Sequence, residues 1–115
     1  MKNNYSTSTT KYINNVKKYL KEKWGKVSPE WEQPLELLAD NYELYQQCRD
    51  SVHNDGLMLV AKNGAMTRNP LIKTQMDAQI QITKLLAEFG LTPRAQSKIA
   101  LNNDEDDELK ELLGD

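Results

Sequence analysis

The sequence predicts a mainly helical chain: a helical-hairpin core with one short β-hairpin between its second and third helices. Three observations carry this. Apolar residues recur at three- and four-residue steps in three stretches bounded by start and stop signals. Two short apolar runs, Leu57 to Val60 and Ala65 to Thr67, flank Asn63-Gly64. Finally, Asn69 to Ile99 reads as one long helix, a specified turn and the opening of another helix.

Residues 1–9 are polar and without periodicity, and read as a flexible arm. From Thr10 the pattern changes: Tyr12, Ile13, Val16, Tyr19, Leu20 and Trp24 recur at helical spacing, Lys17, Lys18, Lys21 and Lys23 fill much of the remaining circumference, and Gly25 marks the stop. A basic amphipathic helix of this kind suits contact with DNA phosphates, a membrane surface or solvent. Ser28 and Pro29 open the second helix, with Glu30 and Glu32 where the helix dipole favours negative charge. Trp31, Leu35, Leu38, Tyr42, Tyr45 and Val52 form its apolar seam. Pro34 should kink this helix or delay its true start, because it lacks a donor and crowds the preceding turn.

Gly56 ends the second helix, and Asn63-Gly64 suits a two-residue turn with positive φ at both positions. The hairpin it closes spans about residues 57–67 and is too small to stand alone, so it has to pack on the helices or pair with a neighbouring subunit. Asn69 is placed to cap the third helix and Pro70 to occupy its first position. Leu71, Ala78, Ile82, Leu85 and Phe89 on one side, with Ile72, Met76, Ile80 and Leu86 on another, cover more circumference than one partner needs. Gly90 can take the left-handed conformation, letting Leu91 fold back onto Leu86, and Thr92-Pro93 restart a helix. This order is compatible with helix-turn-helix DNA binding and with any antiparallel helical hairpin.

The 115 residues make one domain, a core over residues 10–101 followed by an acidic tail over 102–115. Net charge of −2 hides an uneven distribution. Residues 1–26 hold seven lysines against Glu22, residues 27–57 hold Arg49 against seven acids, residues 58–103 carry +4 and residues 104–115 carry −6. No apolar run approaches the roughly 20 residues of a membrane span, and a lone cysteine, Cys48, forms no intramolecular disulfide. His53 is the sole histidine, so neither a zinc site of usual composition nor a histidine-based triad can be assembled. The run Asp104, Glu105, Asp106, Asp107 lacks the fixed geometry of a two-metal nuclease, and no phosphate-cradling glycine loop is present. The expectation is a binding protein without cofactor or metal, and not an enzyme.

The stretch N-P-L-I-K, closing on L-A-E-F-G-L-T-P-R-A-Q-S-K-I, resembles the small terminase subunits of tailed bacteriophages. A first helix ending at Trp24, a long second helix, Asp55-Gly56, a short hairpin and then N-P follow the same family order over residues 10–100. One departure is Asn69, where the family commonly has His; either suits a helix start. The resemblance implies a ring-forming homo-oligomer that binds double-stranded viral DNA where packaging starts and works with a large subunit carrying ATPase and nuclease, in the cytoplasm of an infected bacterial host. On that reading DNA phosphates are met by Lys17, Lys18, Lys21, Lys23, Lys26, Arg68, Arg94 and Lys98. Assembly uses Trp31, Leu35, Leu38, Tyr42, Tyr45, Leu71, Met76, Ile80 and Ile82. Neither the arm nor the tail inherits a family role. By its own pattern, Leu109, Leu112 and Leu113 after an acidic run suit docking to the large subunit, or the acids compete with DNA for the chain's own lysines. The alternative function is a dimeric helix-turn-helix transcriptional regulator.

Overall fold

The computed structural model describes residues 5–99; the leucines Leu109, Leu112 and Leu113 and the acidic run lie outside them. Helix α1 spans Thr7–Trp24, a single 3-10 turn covers Pro29–Trp31, and α2 runs over Glu32–Asp55. Strands β1 (Met58–Val60) and β2 (Met66–Arg68) pair antiparallel, with Leu59 opposite Thr67. Helix α3 spans Leu71–Glu88, and α4 starts at 93 and continues through 99.

α3 packs mainly against α2, and α1 packs against α2 as well, with Tyr12 beside Tyr42. Tyr12, Ile13, Val16 and Leu20 of α1 meet Leu35, Leu38 and Ala39 of α2 and Ile82, Leu85, Leu86 and Phe89 of α3, with Leu91 and Ile99 closing the end of the cluster. Tyr12 and Tyr42 stack at 3.9 Å between ring centres, 10° from parallel. Burial, with Tyr42 as a lesser influence, pushes the Tyr12 phenol far above its ordinary range.

The start of α1 departs from expectation. Part of the segment read as an arm is helix: Ser6 caps α1 by accepting from the Thr9 N–H (3.3 Å). The cause is tertiary. Glu43 Oε1 accepts from the Ser6 N–H at 2.8 Å and from the Thr9 hydroxyl at 2.9 Å, and Tyr5 donates to Asp40 at 2.5 Å. These bonds hold the Glu43 carboxyl below its usual range, chiefly through the Ser6 N–H, against the opposing effect of burial. α2 also starts later than Ser28, at Glu32. Pro34 then falls in the first turn, where its missing donor would have been unpaired anyway, so the delayed start answers the proline.

The hairpin turn is a second correction. Gly64 N–H bonds Ala61 O (2.9 Å) and Ala61 N–H bonds Ala65 O (2.8 Å), with φ of +85° at Gly64 and no positive φ at Asn63. This is a three-residue loop ending in a glycine bulge, which demands left-handed backbone at one position instead of two. Nor does the hairpin bury its apolar residues within the chain: Leu57, Met58, Val60 and Met66 stay exposed.

Two local devices stand as the sequence predicts. Asn69 Oδ1 accepts from the Leu71 N–H (3.0 Å), which caps α3 over Pro70. The same side chain, 2% exposed, donates from Nδ2 to Gly56 O (3.0 Å), and its N–H bonds Leu57 O (2.8 Å), so it also ties the hairpin base to the end of α2. At the other end of α3, Leu91 N–H bonds Leu86 O (3.1 Å) and Gly90 N–H bonds Ala87 O (2.9 Å), the paired bonds of a Schellman stop. Thr92 then caps α4 by accepting from the Ala95 N–H at 3.1 Å.

Candidate nucleic-acid interface

The antiparallel run of α1 and α3 against α2 gives the molecule two unlike ends. At the start of α2, Trp31 meets Phe89 edge-on at 5.9 Å, and the C-terminal half of α1 and the turn into α4 gather there. At the far end, Asn69 joins the hairpin to Gly56. A 24-residue helix separates them, or about 36 Å at 1.5 Å per residue.

The lysines expected to meet DNA divide by this geometry. Lys17, Lys18 and Lys21 share one helical face and line a groove of about 580 Å³ with Asn14, Glu22 and Val27. A smaller hollow of about 240 Å³ adjoins it at Lys17, walled by Val27, Ser28, Pro29, Glu32 and Leu35. Among the described residues no carboxylate pairs with Lys17, Lys18 or Lys21. Within the described residues, therefore, no ion pair has to break for their ammonium groups to meet a polyanion. Lys26, past the helix end, is exposed.

Lys23 is employed differently. Its ammonium donates to Gly90 O and lies 5.4 Å from the centre of the Trp24 ring, while Trp24 Nε1 donates to Phe89 O at 3.1 Å. A lysine at the carbonyl end of α3 complements that end of the helix dipole. These bonds pin the turn between α3 and α4 to the end of α1. Nothing local in the sequence signals them, since 65 and 67 residues separate the partners.

Arg94 and Lys98 are exposed, four residues apart on α4. A cleft of about 250 Å³ lined by Tyr19, Glu22, Lys23, Gly90, Leu91, Thr92 and Ala95 lies between α4 and α1. Glu22 lines both this cleft and the lysine groove, so the two basic elements are neighbours. Arg68 is not among them: it is exposed on β2 opposite Met58, at the hairpin end.

The residues expected to build an assembly interface divide as well. Leu35, Leu38 and Ile82 are buried in the chain's own core. Trp31, Tyr42, Tyr45 and Leu71 are half-buried, while Met76 and Ile80 stand 52% and 49% exposed on α3. The structure adds residues that sequence reading passed over: Leu37 and Leu44 are exposed on α2, seven positions apart and hence on one face. Core and outer face both repeat at helical spacing, so periodicity alone does not separate them.

Cys48 is buried and His53 exposed, and among the described residues no three of His, Cys, Asp and Glu gather to hold a metal ion. None of the described helices is long and apolar enough to cross a membrane.

Residues 14–106 match the family model described as the phage terminase small subunit. The match begins inside α1, just before the lysine face, and takes in all later elements. No curated protein and no solved structure matched.

Proposed function

We propose a genome-engaging role for this chain, which belongs to the phage terminase small-subunit family. It binds double-stranded viral DNA at the start of packaging and recruits or regulates the large subunit, which supplies ATPase and nuclease; the chain itself takes no catalytic part. The observation that carries this reading is the open groove of Lys17, Lys18 and Lys21, three cations on one face of α1 with no carboxylate partner among the described residues. Arg94 and Lys98 extend the same basic end, with Lys26 at its margin. Side chains of this type meet phosphates and fix position without reading bases. Lys23 contributes charge to that end while holding the turn, and Arg68 joins the contact where the duplex runs the length of α2.

The experiment is fluorescence anisotropy of a labelled duplex against salt. Affinity falls linearly on a log–log plot, and each phosphate contact removed lowers the slope by about 0.9. Lys17→Glu with Lys21→Glu should lower both affinity and slope, by about two contacts. An unchanged slope removes α1 from the interface. Arg68→Glu, measured separately, asks whether the hairpin end takes part.

Self-association belongs to the same reading. Copies assemble into a ring through the faces that the protomer leaves uncovered, Met76 and Ile80 of α3 with the exposed edges of Trp31, Tyr42, Tyr45 and Leu71. Light scattering at moderate and high salt measures it, and a mass of many protomers that persists in salt is expected from apolar contacts. The competing reading, a dimeric regulator, draws on the exposed Arg94 and Lys98 of the helix after the turn, and predicts a dimer on paired half-sites.

A further inference from the structure

The lysine groove joins cations with apolar surface: Lys17, Lys18 and Lys21 with Val27 between α1 and the start of α2. Lysine stems add aliphatic surface beneath the ammonium groups. Glu22 at the rim is the opposing charge, which leaves +2 among the groups that line it. Such a groove suits a ligand that brings several carboxylates and a few aliphatic side chains together. The chain carries one. Residues 104–108 read Asp-Glu-Asp-Asp-Glu, and Leu109, Leu112 and Leu113 follow at helical spacing.

Reach supports the match. The described chain ends at Ile99, buried in the same cluster as Leu20 and Leu91. α4 therefore leaves the fold beside α1, and Glu22 borders both the α4 cleft and the lysine groove. The obstacle between them is the width of one helix, about 10 Å. Five residue steps lead from Ile99 to Asp104, which span up to about 17 Å when extended. A tether this short holds its end at an effective concentration in the millimolar range, so individually weak surface ion pairs suffice for occupancy.

We propose that the acidic tail of this same chain, residues 104–113, folds back into the groove. Its carboxylates pair with Lys17, Lys18 and Lys21, and its leucines rest on Val27 and the lysine stems. Tail and duplex DNA then compete for one set of ammonium groups, a clause that rests on the DNA-binding reading, whereas the docking itself does not. The tail thereby suppresses weak, non-specific binding while a strong phosphate array displaces it.

The test treats the full chain with a water-soluble carbodiimide, which joins lysines to carboxylates in contact, and maps the links by mass spectrometry on mixed isotope-labelled and unlabelled protein. Links within one chain from residues 104–108 to Lys17, Lys18 or Lys21 should exceed those to Lys62, Lys73 and Lys84 about tenfold, and fade in high salt. A full-length variant carrying Asp104→Asn, Glu105→Gln, Asp106→Asn, Asp107→Asn and Glu108→Gln should bind a non-specific duplex about tenfold more tightly. Links spread evenly over the lysines, or joining two copies, overturn the docking. Groove links without a gain in DNA affinity overturn the competition. If neither wild type nor variant binds DNA, the DNA-binding reading falls with the competition, and the cross-link pattern still decides the docking.

Discussion

Replacing Gly90 by alanine strikes the turn that sets α4, and its cost can be worked from two glycines in one molecule. Gly25 and Gly90 both follow helix ends in left-handed backbone, at φ of +82° and +78°. Alanine in that region costs about 1–2 kcal/mol. A Cβ on Gly25 meets nothing within 4 Å, so Gly25→Ala carries that backbone cost alone. On Gly90 it would lie 3.1 Å from Trp24 Cζ2 and 3.4 Å from Lys23 Nζ. Trp24 is 52% exposed and has room to swing away, but swinging breaks the bond from its Nε1 to Phe89 O. A hydrogen bond of that kind contributes about 1 kcal/mol, which brings Gly90→Ala to about 2–3 kcal/mol. Urea denaturation followed by tryptophan fluorescence, at matched protein concentration so that self-association cancels, measures both variants. Gly90→Ala should be the less stable by about 1 kcal/mol. Equal losses, or a larger one at Gly25, would refute the claim that close approach by α1 fixes the turn.

Asn69→Asp keeps the cap acceptor for α3 but loses the donor to Gly56 O, so thermal denaturation should register a loss of about 1–2 kcal/mol that a cap-only residue would not show. Glu43→Gln should destabilise by about 0.5–1 kcal/mol at neutral pH. Because folding lowers the Glu43 pKa, this stability is complete above the unfolded value of about 4.3 and is lost as pH falls through the folded one, so the two proteins should converge in acid. Ile80→Lys with Met76→Lys should reduce the native mass in light scattering while leaving helicity and the urea midpoint near wild type, since both side chains are exposed in the protomer. Retention of the full mass would remove that face of α3 from any interface.

What was legible in the sequence were features satisfied by near neighbours. Asn69 and Pro70 at the start of α3, and Gly90 with Leu91 at its end, sit within a few residues of the groups they satisfy, and each has the partner its type predicts. Residues whose partners lie far along the chain were misread. Ser6 and Thr9 belong to α1 because Glu43 accepts from both, 37 and 34 residues away, and a Ser/Thr run without Glu43 resembles an arm. Asn63-Gly64 reads from sequence as a two-residue turn, but Gly64, the extra residue of the bulge, alone takes the left-handed position. The basic face behaved likewise: Lys17, Lys18 and Lys21 are neighbours by helical period alone, but their meeting with Val27, and the separation of Arg68, depend on how α1 and α3 cross α2.

On the proposed reading, the distribution of uncovered apolar surface bears on how DNA contact and self-association would coexist. Among the described residues nine large hydrophobics are exposed, and six of them, Leu57, Met58, Val60, Met66, Met76 and Ile80, belong to the hairpin and to α3 as far as its middle. That is the end away from Lys17, Lys18 and Lys21. A two-stranded hairpin with this much apolar surface in water is marginal alone, so its covering should contribute free energy to any assembly that seats it. An interface at that end leaves the lysine groove open. It would also repeat the groove once per copy around a closed symmetric assembly, so modest phosphate contacts on each protomer combine into strong binding through multivalency. A protomer that binds weakly and an assembly that binds tightly are thus the expected behaviour of one surface, and the Met76→Lys, Ile80→Lys variant separates them: its DNA affinity should fall although every lysine is retained.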